Sequence, residues 1–164
     1  MEHRFGIFDT VDELNRAAAA QKAEGDEEAL FALAAENGIC REDVEGYLDD
    51  AAEELATPLM AAIGKLDMEG AELGLESQLK DWKEFVAAMC AGDLDMCNGV
   101  FRQDRCLEDV LAAGLRHASQ NRVRVPDSIV RKAGVPQISY IGMTGRDELR
   151  RIAREYYVQG VSVL

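Results

Sequence analysis

The chain has 164 residues, 48% of them apolar, and its 31 acidic and 18 basic side chains give a formal net charge of −13. This apolar content excludes intrinsic disorder for most of the chain, and the length is typical of one domain with its own hydrophobic core. No run reaches the roughly 18 consecutive apolar residues that a membrane-spanning helix needs. The N-terminal segment also lacks an apolar stretch between a basic start and a cleavage site. The sequence therefore predicts a cytoplasmic protein that makes no membrane contact.

Acidic and basic residues are distributed unevenly along the chain. Residues 1–100 carry 24 acids and 7 bases, whereas residues 101–164 carry 7 acids and 11 bases. The acidic part repels phosphate backbones, so we expect that residues 1–100 do not bind nucleic acid directly and that they attract basic surfaces instead. A simpler interpretation is a solvated surface that only promotes solubility.

The N-terminal residues predict a short extended segment followed by two helices. Residues 4–8 are rich in aromatic and β-branched side chains, which is typical of a strand. Thr10 opens a capping box, and the helix that follows should end at Gly25. A second helix should start at Asp26 and end at Asn37.

Residues 42–55 predict a third helix with one charged and one apolar side. At about 100° per residue, seven carboxylates fall on an arc about 180° wide, opposite apolar residues that include Val44 and Leu48. These seven residues, here called the acidic segment, are Glu42, Asp43, Glu45, Asp49, Asp50, Glu53 and Glu54. On a helix they would cover about 18 Å, one charge per roughly 2.6 Å. Duplex DNA carries one charge per about 1.7 Å, so this helix would approach the linear charge density of nucleic acid.

The central residues predict further helices. Thr57 and Pro58 should open a fourth helix, whose apolar pattern loosens between Asp67 and Gly74. Other predicted helices cover residues 75–89, 106–119 and a short stretch that ends at Gly134, and predicted extended segments cover residues 122–125 and 137–142.

The C-terminal residues predict a last helix, capped by Thr144 and Asp147. Helices thus dominate the chain, and no linker is long enough to divide it. The predicted fold is mainly α (α+β), a single compact helical domain over residues 1–164 with two or three short strands from the N- and C-terminal segments. Within it we expect an acidic helical part, residues 1–100, and a net-positive part, residues 101–164, that holds a strand and the C-terminal helix.

Few residues are suited to catalysis or metal binding. The four cysteines have no metal-ligand spacing and are expected to be reduced thiols, and the chain has only two histidines. Cys106 and His117 would lie on one helix about 16 Å apart along its axis, too far for a nucleophile and its base. We therefore expect no enzyme activity, no catalytic residue, no bound metal and no cofactor.

A turn with two glycines near the C-terminus is a candidate for anion binding. Residues 142–146 connect a predicted strand to a predicted helix, where backbone N–H groups can hold an anion, although their spacing matches no phosphate-binding motif. A basic patch could lie beside this turn, formed by Arg146, Arg150, Arg151 and Arg154. The same arginines could instead pair with Asp147, Glu148 and Glu155 on their own helix.

Several short runs of the sequence resemble a known family. These runs are Phe5–Asn15, Glu24–Asp26, Asn37–Ile39, Glu42–Val44, Glu54–Met60 and Ile152–Tyr157. In them the chain resembles the PcfK-like proteins of conjugative elements of gut bacteria, a group that includes a type II-A anti-CRISPR family. The resemblance implies a non-enzymatic inhibitor of the RNA-guided CRISPR effector nuclease, and it assigns no role to individual residues.

The functional prediction is an anti-CRISPR protein that binds and inhibits a type II CRISPR-Cas effector nuclease with its guide RNA. Such nucleases hold the guide–target duplex in a positively charged channel, which an acidic, DNA-mimicking surface would fit. The alternative is a non-enzymatic accessory or adaptor protein of a conjugative mobile element that binds a basic partner protein. In that case the net-positive part would touch DNA or the acidic half of a second copy, as in a homodimer. An enzyme acting on a phosphorylated small molecule at residues 142–146 is the third and least favoured hypothesis.

Overall fold

The computed structural model describes residues 8–134 and 140–164. In these residues the protein is mainly α-helical with one small antiparallel sheet, which confirms the predicted fold class. The elements in chain order are α1 (Val11–Glu24), α2 (Glu27–Glu36), α3 (Arg41–Leu48), α4 (Pro58–Glu72), α5 (Ser77–Met89), α6 (Leu94–Phe101), α7 (Leu107–Gln120), β1 (Val123–Arg124), α8 (Asp127–Ala133), β2 (Tyr140–Ile141) and α9 (Arg146–Tyr157).

The predicted ends of the first helices are confirmed. Thr10 forms the expected capping box, since its hydroxyl accepts the N–H of Glu13 and the Glu13 carboxylate accepts the N–H of Thr10. Gly25 ends α1 with a φ of 72°, a left-handed conformation that favours glycine. The carboxylate of Asp26 then accepts the N–H of Ala29 and begins α2.

Two central helices differ from the predicted pattern. α4 begins at Pro58 with Thr57 as its cap, as expected, but it continues without a break to Glu72. α6 has no counterpart among the predicted helices. It begins after Asp93, whose carboxylate accepts the N–H of Met96, and its eight residues are too few to display a clear helical period.

The start of α9 also differs from the prediction. α9 begins at Arg146, and its N-cap is Gly145. The predicted cap formed by Thr144 and Asp147 is therefore wrong. Thr144 is buried, and its hydroxyl donates to the carbonyl of Gly114 on α7, which removes it from the end of its own helix.

The small sheet consists of β1 and β2, which run antiparallel with Val123 opposite Ile141 and Arg124 opposite Tyr140. Both strands fall within the extended segments predicted for the C-terminal part. Outside the described residues lie residues 4–7 of the predicted N-terminal strand and residues 137–139 of the predicted C-terminal one.

The described helices bury two clusters of apolar side chains that share α4. The first cluster joins α1, α2, α3, the start of α4 and Phe101 at the end of α6 around Leu14 and Leu33. The second joins α4, α5, α6, α7 and α9 around Leu66. Val44 and Tyr47 belong to the first cluster, so α3 and the start of the acidic segment are anchored by packing against α1 and α2.

Candidate functional site

The acidic segment does not form one continuous helix. α3 ends at Leu48, so the helix predicted over residues 42–55 is wrong in its second half. After Leu48, the carboxylates of the acidic segment are therefore not spaced regularly along a helix axis. Their order is Glu42, Asp43 and Glu45 on α3, Asp49 at its C-cap, and Asp50, Glu53 and Glu54 in the turns and bends that follow.

The end of α3 is set by a residue in the left-handed conformation. Asp50 has a φ of 58°, which aspartate tolerates better than most side chains do. The N–H of Ala51 donates to the carbonyl of Gly46 at 2.9 Å, and the N–H of Asp50 donates to the carbonyl of Tyr47 at 3.3 Å. These two bonds form a Schellman motif, which satisfies the last carbonyls of the helix and turns the chain away from its axis.

Lys22 of α1 holds this turn in place. Its ammonium donates to the carbonyl of Tyr47 and to the carboxylate of Asp50, the latter at 2.6 Å. The ammonium also lies 4.3 Å from the centre of the Tyr47 ring, a cation–π contact. Lys22 was not among the residues predicted from the sequence. Its only signal was a lysine in the last turn of α1, where a cation also suits the negative end of the helix.

Asn15, also on α1, holds the far end of the acidic segment. Its side-chain amide donates to the carbonyl of Ala56 at 2.9 Å, and its side-chain oxygen accepts the N–H of Ala56 at 3.0 Å. The amide also lies 3.3 Å from the carboxylate of Glu54. Leu55 and Ala56 are buried beside it. The stretch between Asp50 and Leu55 is therefore pinned at both ends to α1.

We expect Asn15→Ala to destabilise the protein by about 2 kcal/mol, because two half-buried hydrogen bonds to the backbone of Ala56 are lost. Urea denaturation followed by circular dichroism measures the effect. Asn98→Ala is the matched control, since Asn98 is exposed on α6 and alanine is the better helix former there. Equal urea midpoints for the two variants would contradict the role given to Asn15.

Six of the seven carboxylates in the acidic segment are exposed, and Asp43 is half-buried. The guanidinium of Arg41 lies 2.8 Å from the carboxylate of Glu45. Asp49 and Glu53 make no hydrogen bond or ion pair through their side chains with any residue in the two described ranges. Exposed ion pairs contribute at most about 1 kcal/mol, so the paired carboxylates also remain available to a basic partner.

Cys40 lies just before α3, beside two of these carboxylates. Its thiol donates to the carboxylate of Asp43 at 2.9 Å, and this contact raises the pKa of the thiol. The pKa of Glu42 is lowered by its own backbone N–H and by the Cys40 thiol. At neutral pH the thiol is therefore protonated and Glu42 is ionised, which suits a binding surface and not a nucleophile.

A shallow groove of about 500 Å³ separates α1 from the acidic segment. It is lined by Asp12, Asn15, Arg16, Ala19, Tyr47, Glu53 and Glu54. Three carboxylates and one guanidinium thus share the opening. The groove is suited to a lysine or arginine side chain of a partner, which would form charge-assisted hydrogen bonds there.

The four arginines of the predicted basic patch all lie on α9. Arg146 lies over the ring of Phe85, 5.8 Å from its centre. Three of the four form ion pairs inside the protein: Arg150 with Asp147, Arg151 with Glu148 and Glu155, and Arg154 with Asp93. Most of these arginines are therefore paired with carboxylates of the protein, as the alternative interpretation of the sequence expected, and do not form a free basic patch.

The turn at residues 142–146 packs against α7. A Cβ atom at Gly142 would lie 1.9 Å from the carbonyl oxygen of Ala118, so only glycine fits there. The hydroxyl of Thr144 lies 3.2 Å from a ring nitrogen of His117. The turn thus joins the start of α9 to α7, and its binding of an anion remains a prediction.

Comparison of the chain with protein-family models, curated protein sequences and solved structures gives no match. Within residues 8–134 and 140–164, no three His, Cys, Asp or Glu side chains are grouped so that they could hold a metal ion. None of the helices in this described part is long and apolar enough to cross a membrane. A functional proposal therefore rests on the residues themselves and on their geometry.

Proposed function

We propose that this protein is a non-enzymatic inhibitor that binds a type II CRISPR-Cas nuclease and places the acidic segment in its nucleic-acid channel. The observation that carries the proposal is a set of mostly exposed carboxylates on a stretch of chain that Lys22 and Asn15 pin to α1. A surface fixed in advance loses little conformational freedom on binding, so more of its electrostatic attraction becomes affinity. The sequence resemblance to PcfK-like proteins supports this class of partner.

The charge of the acidic segment supports the proposal more directly than its shape does. The nuclease channel is lined by cations that hold the guide–target duplex, and arginines read the short motif beside the target. Asp49 and Glu53 have no side-chain partner among the described residues, so they are free to receive such cations. Because α3 ends at Leu48, the segment would imitate the charge of DNA without reproducing its regular spacing.

Charge reversal of the two unpaired carboxylates tests this proposal. We expect Asp49→Lys/Glu53→Lys to raise the half-inhibitory concentration in a target-cleavage assay at least about tenfold, which corresponds to about 1.4 kcal/mol. Neither side chain has an intramolecular partner in the described ranges, so the fold should be unaffected. Circular dichroism melting checks that the variant is folded.

Glu72→Lys/Asp81→Lys is the matched control, because both carboxylates are exposed on other helices and the net charge changes by the same amount. We expect this control to inhibit like the wild type. If the two double variants inhibit equally well, the acidic segment is not the binding surface. The adaptor alternative gives a different result, since the wild type would then bind a basic conjugation protein and leave cleavage unchanged.

A further inference from the structure

The described residues near the C-terminus include an arm that stands apart from the two apolar clusters. We call residues 121–134 and 140–143 the basic arm; they comprise β1, α8 and β2. No residue of α8 is buried, and both residues of each strand are exposed. Large apolar side chains are nonetheless present: Val123, Ile129, Tyr140, Ile141 and Met143 are 62%, 56%, 61%, 48% and 65% exposed. The arm therefore presents apolar surface to solvent that the core does not use.

The base of the arm is fixed to α7. The backbone at Gly142 approaches the carbonyl of Ala118 so closely that no Cβ fits. Next to it, the hydroxyl of Thr144 donates to the carbonyl of Gly114 at 2.6 Å. Just before β1, the side-chain amide of Asn121 donates to the carbonyl of His117 at 2.9 Å. Both strands of the basic arm are thus fixed to the end of α7.

The arm and the adjoining end of α7 reverse the charge of the rest of the protein. Residues 116–134 carry five bases and one acid, in a chain with a net charge of −13. Arg124 lies 3.3 Å from Asp127, the one acid among them. Arg116, Arg131 and Lys132 are exposed, and their side chains have no hydrogen-bond or ion-pair partner in the described ranges. These three cations are therefore available to an anionic ligand, and Arg124 can exchange Asp127 for a phosphate, because so exposed an ion pair contributes at most about 1 kcal/mol.

The strand register places a cation beside an aromatic ring. Arg124 is directly opposite Tyr140, and Val123 is directly opposite Ile141. Opposed residues in an antiparallel pair project on the same side of the sheet, so one side carries a guanidinium and a phenol ring. Proteins that bind single strands combine these two groups, since the ring stacks on a base while the cations follow the phosphates. In a duplex the base faces are stacked inside and unavailable to the ring.

We propose that the basic arm binds single-stranded nucleic acid, with Tyr140 stacked on a base and with Arg124, Arg131 and Lys132 on the phosphates. Four of the five bases are arginines, whose planar guanidinium pairs with phosphate through two hydrogen bonds and stacks on aromatic faces. Salt weakens the repulsion between the exposed carboxylates of the protein and the phosphates, since the screening length is about 8 Å at physiological ionic strength. RNA and DNA single strands share the chemistry that the arm recognises.

Fluorescence anisotropy with the full-length protein alone tests the proposal, independently of any nuclease. The probes are labelled oligouridylate and oligodeoxythymidylate of about 16 nucleotides, the upper site size of a single binding module, and a duplex of the same length. We expect both single strands to bind more tightly than the duplex. A difference between the two single strands would identify RNA or DNA as the natural ligand class.

Substitutions can show whether binding depends on the residues of the basic arm or only on the net charge of the protein. Arg124→Gln/Arg131→Gln is expected to weaken binding at least about tenfold and to lower the slope of log Kd against log salt by about 1.4, at about 0.7 per phosphate contact on a single strand. Arg41→Gln/Lys80→Gln makes the same change in net charge on exposed residues of α3 and α5, and should leave binding within twofold. Tyr140→Ala should weaken binding at least about fivefold through loss of stacking.

Three results would overturn the proposal. The first is no binding of either single strand at low salt. The second is equal binding of duplex and single strands that Tyr140→Ala does not change. The third is a salt-sensitive dimer in sedimentation that Arg124→Gln/Arg131→Gln abolishes, because the arm would then bind the acidic segment of a second copy. Melting temperatures equal to that of the wild type confirm that the variants are folded.

Discussion

Gly99→Ala is expected to lower the free energy of unfolding by about 3 kcal/mol, although alanine is the better helix former. Gly99 lies on α6, where a Cβ atom would be 2.1 Å from the carbonyl oxygen of Tyr157 and 3.2 Å from its Cβ. The first of these atoms is backbone at the end of α9, so no side-chain rotation relieves the clash. α6 and α9 would have to separate, which opens the second apolar cluster around Tyr157.

Gly46→Ala is the matched control for this prediction. Gly46 lies inside α3, and a Cβ atom there would meet nothing within 4 Å. We expect this variant to be more stable than the wild type by about 0.5–1 kcal/mol. Calorimetry should place Gly99→Ala roughly 6–12 °C below the wild type, at about 2–4 °C per kcal/mol for a chain of this size. Equal melting temperatures for the two variants would show that α6 and α9 do not pack at this distance.

Lys65→Met is expected to destabilise the protein by about 3 kcal/mol, because Lys65 holds the end of α6 and balances a carboxylate. Its ammonium donates to the carbonyls of Val100, Arg102 and Arg105, at 3.0 Å for the first and 2.7 Å for the last. It also lies 3.6 Å from the carboxylate of Glu69. Without the ammonium, the last carbonyls of α6 lose their donor and Glu69 loses its counter-ion.

The partner of Lys65 gives this prediction a pH dependence. Burial raises the pKa of Glu69, whose carboxylate also accepts the N–H of Leu107 at the start of α7. Because this folded-state pKa is raised, ionisation of Glu69 costs stability as the pH rises through it. Removing the cation raises the pKa further, so the loss caused by Lys65→Met should shrink as the pH falls toward the ordinary pKa of a glutamate.

Two variants serve as controls for Lys65→Met. Lys80→Met removes an exposed lysine of α5 with no side-chain partner in the described ranges, and it should change stability by less than about 0.5 kcal/mol. Lys65→Met/Glu69→Gln removes both charges, and it should cost less than the sum of the two single substitutions. Guanidinium denaturation at two pH values measures all of these effects. A pH-independent loss would contradict the coupling to Glu69.

Local sequence signals predicted the helix ends that depend on neighbouring residues. Thr10, Gly25 and Thr57 act on backbone groups within a few positions of themselves, so their side chains and conformations are enough to specify a cap. The mainly α fold follows from several such helices in a row. Thr144 shows the limit of these signals, because its hydroxyl is taken by Gly114, 30 residues away.

The structure of the acidic segment was only partly predictable, because it too depends on contacts between residues far apart in the sequence. Its charges and its apolar side were evident from the sequence, and Val44 and Tyr47 are buried as that pattern requires. The turn that ends α3 at Asp50 is held by Lys22, which lies 28 residues earlier, and the far end of the acidic segment is held by Asn15, which lies 41 residues before Ala56. The pattern of apolar and charged residues within 42–55 contains no information about contacts with residues so far away in the sequence.

The acidic segment and the basic arm carry opposite charges, and they are proposed to have different roles. The acidic segment, mounted on α1, is proposed to enter a basic channel of a nuclease. The basic arm, mounted on α7, is proposed to hold a single strand. Because Asp49 and Glu53 lie in one part and Arg124 and Tyr140 in the other, variants can abolish one activity and leave the other intact.

Target-DNA cleavage by a purified type II CRISPR nuclease with its guide RNA directly measures the proposed inhibition. The protein is titrated either before or after the target DNA is added. We predict inhibition that is strong when the protein is added first, weak when the DNA is added first, and relieved by salt, because the acidic segment and the DNA compete for the same cations. Cleavage that remains complete at a large excess of the protein, with each of several nucleases, would contradict the claim.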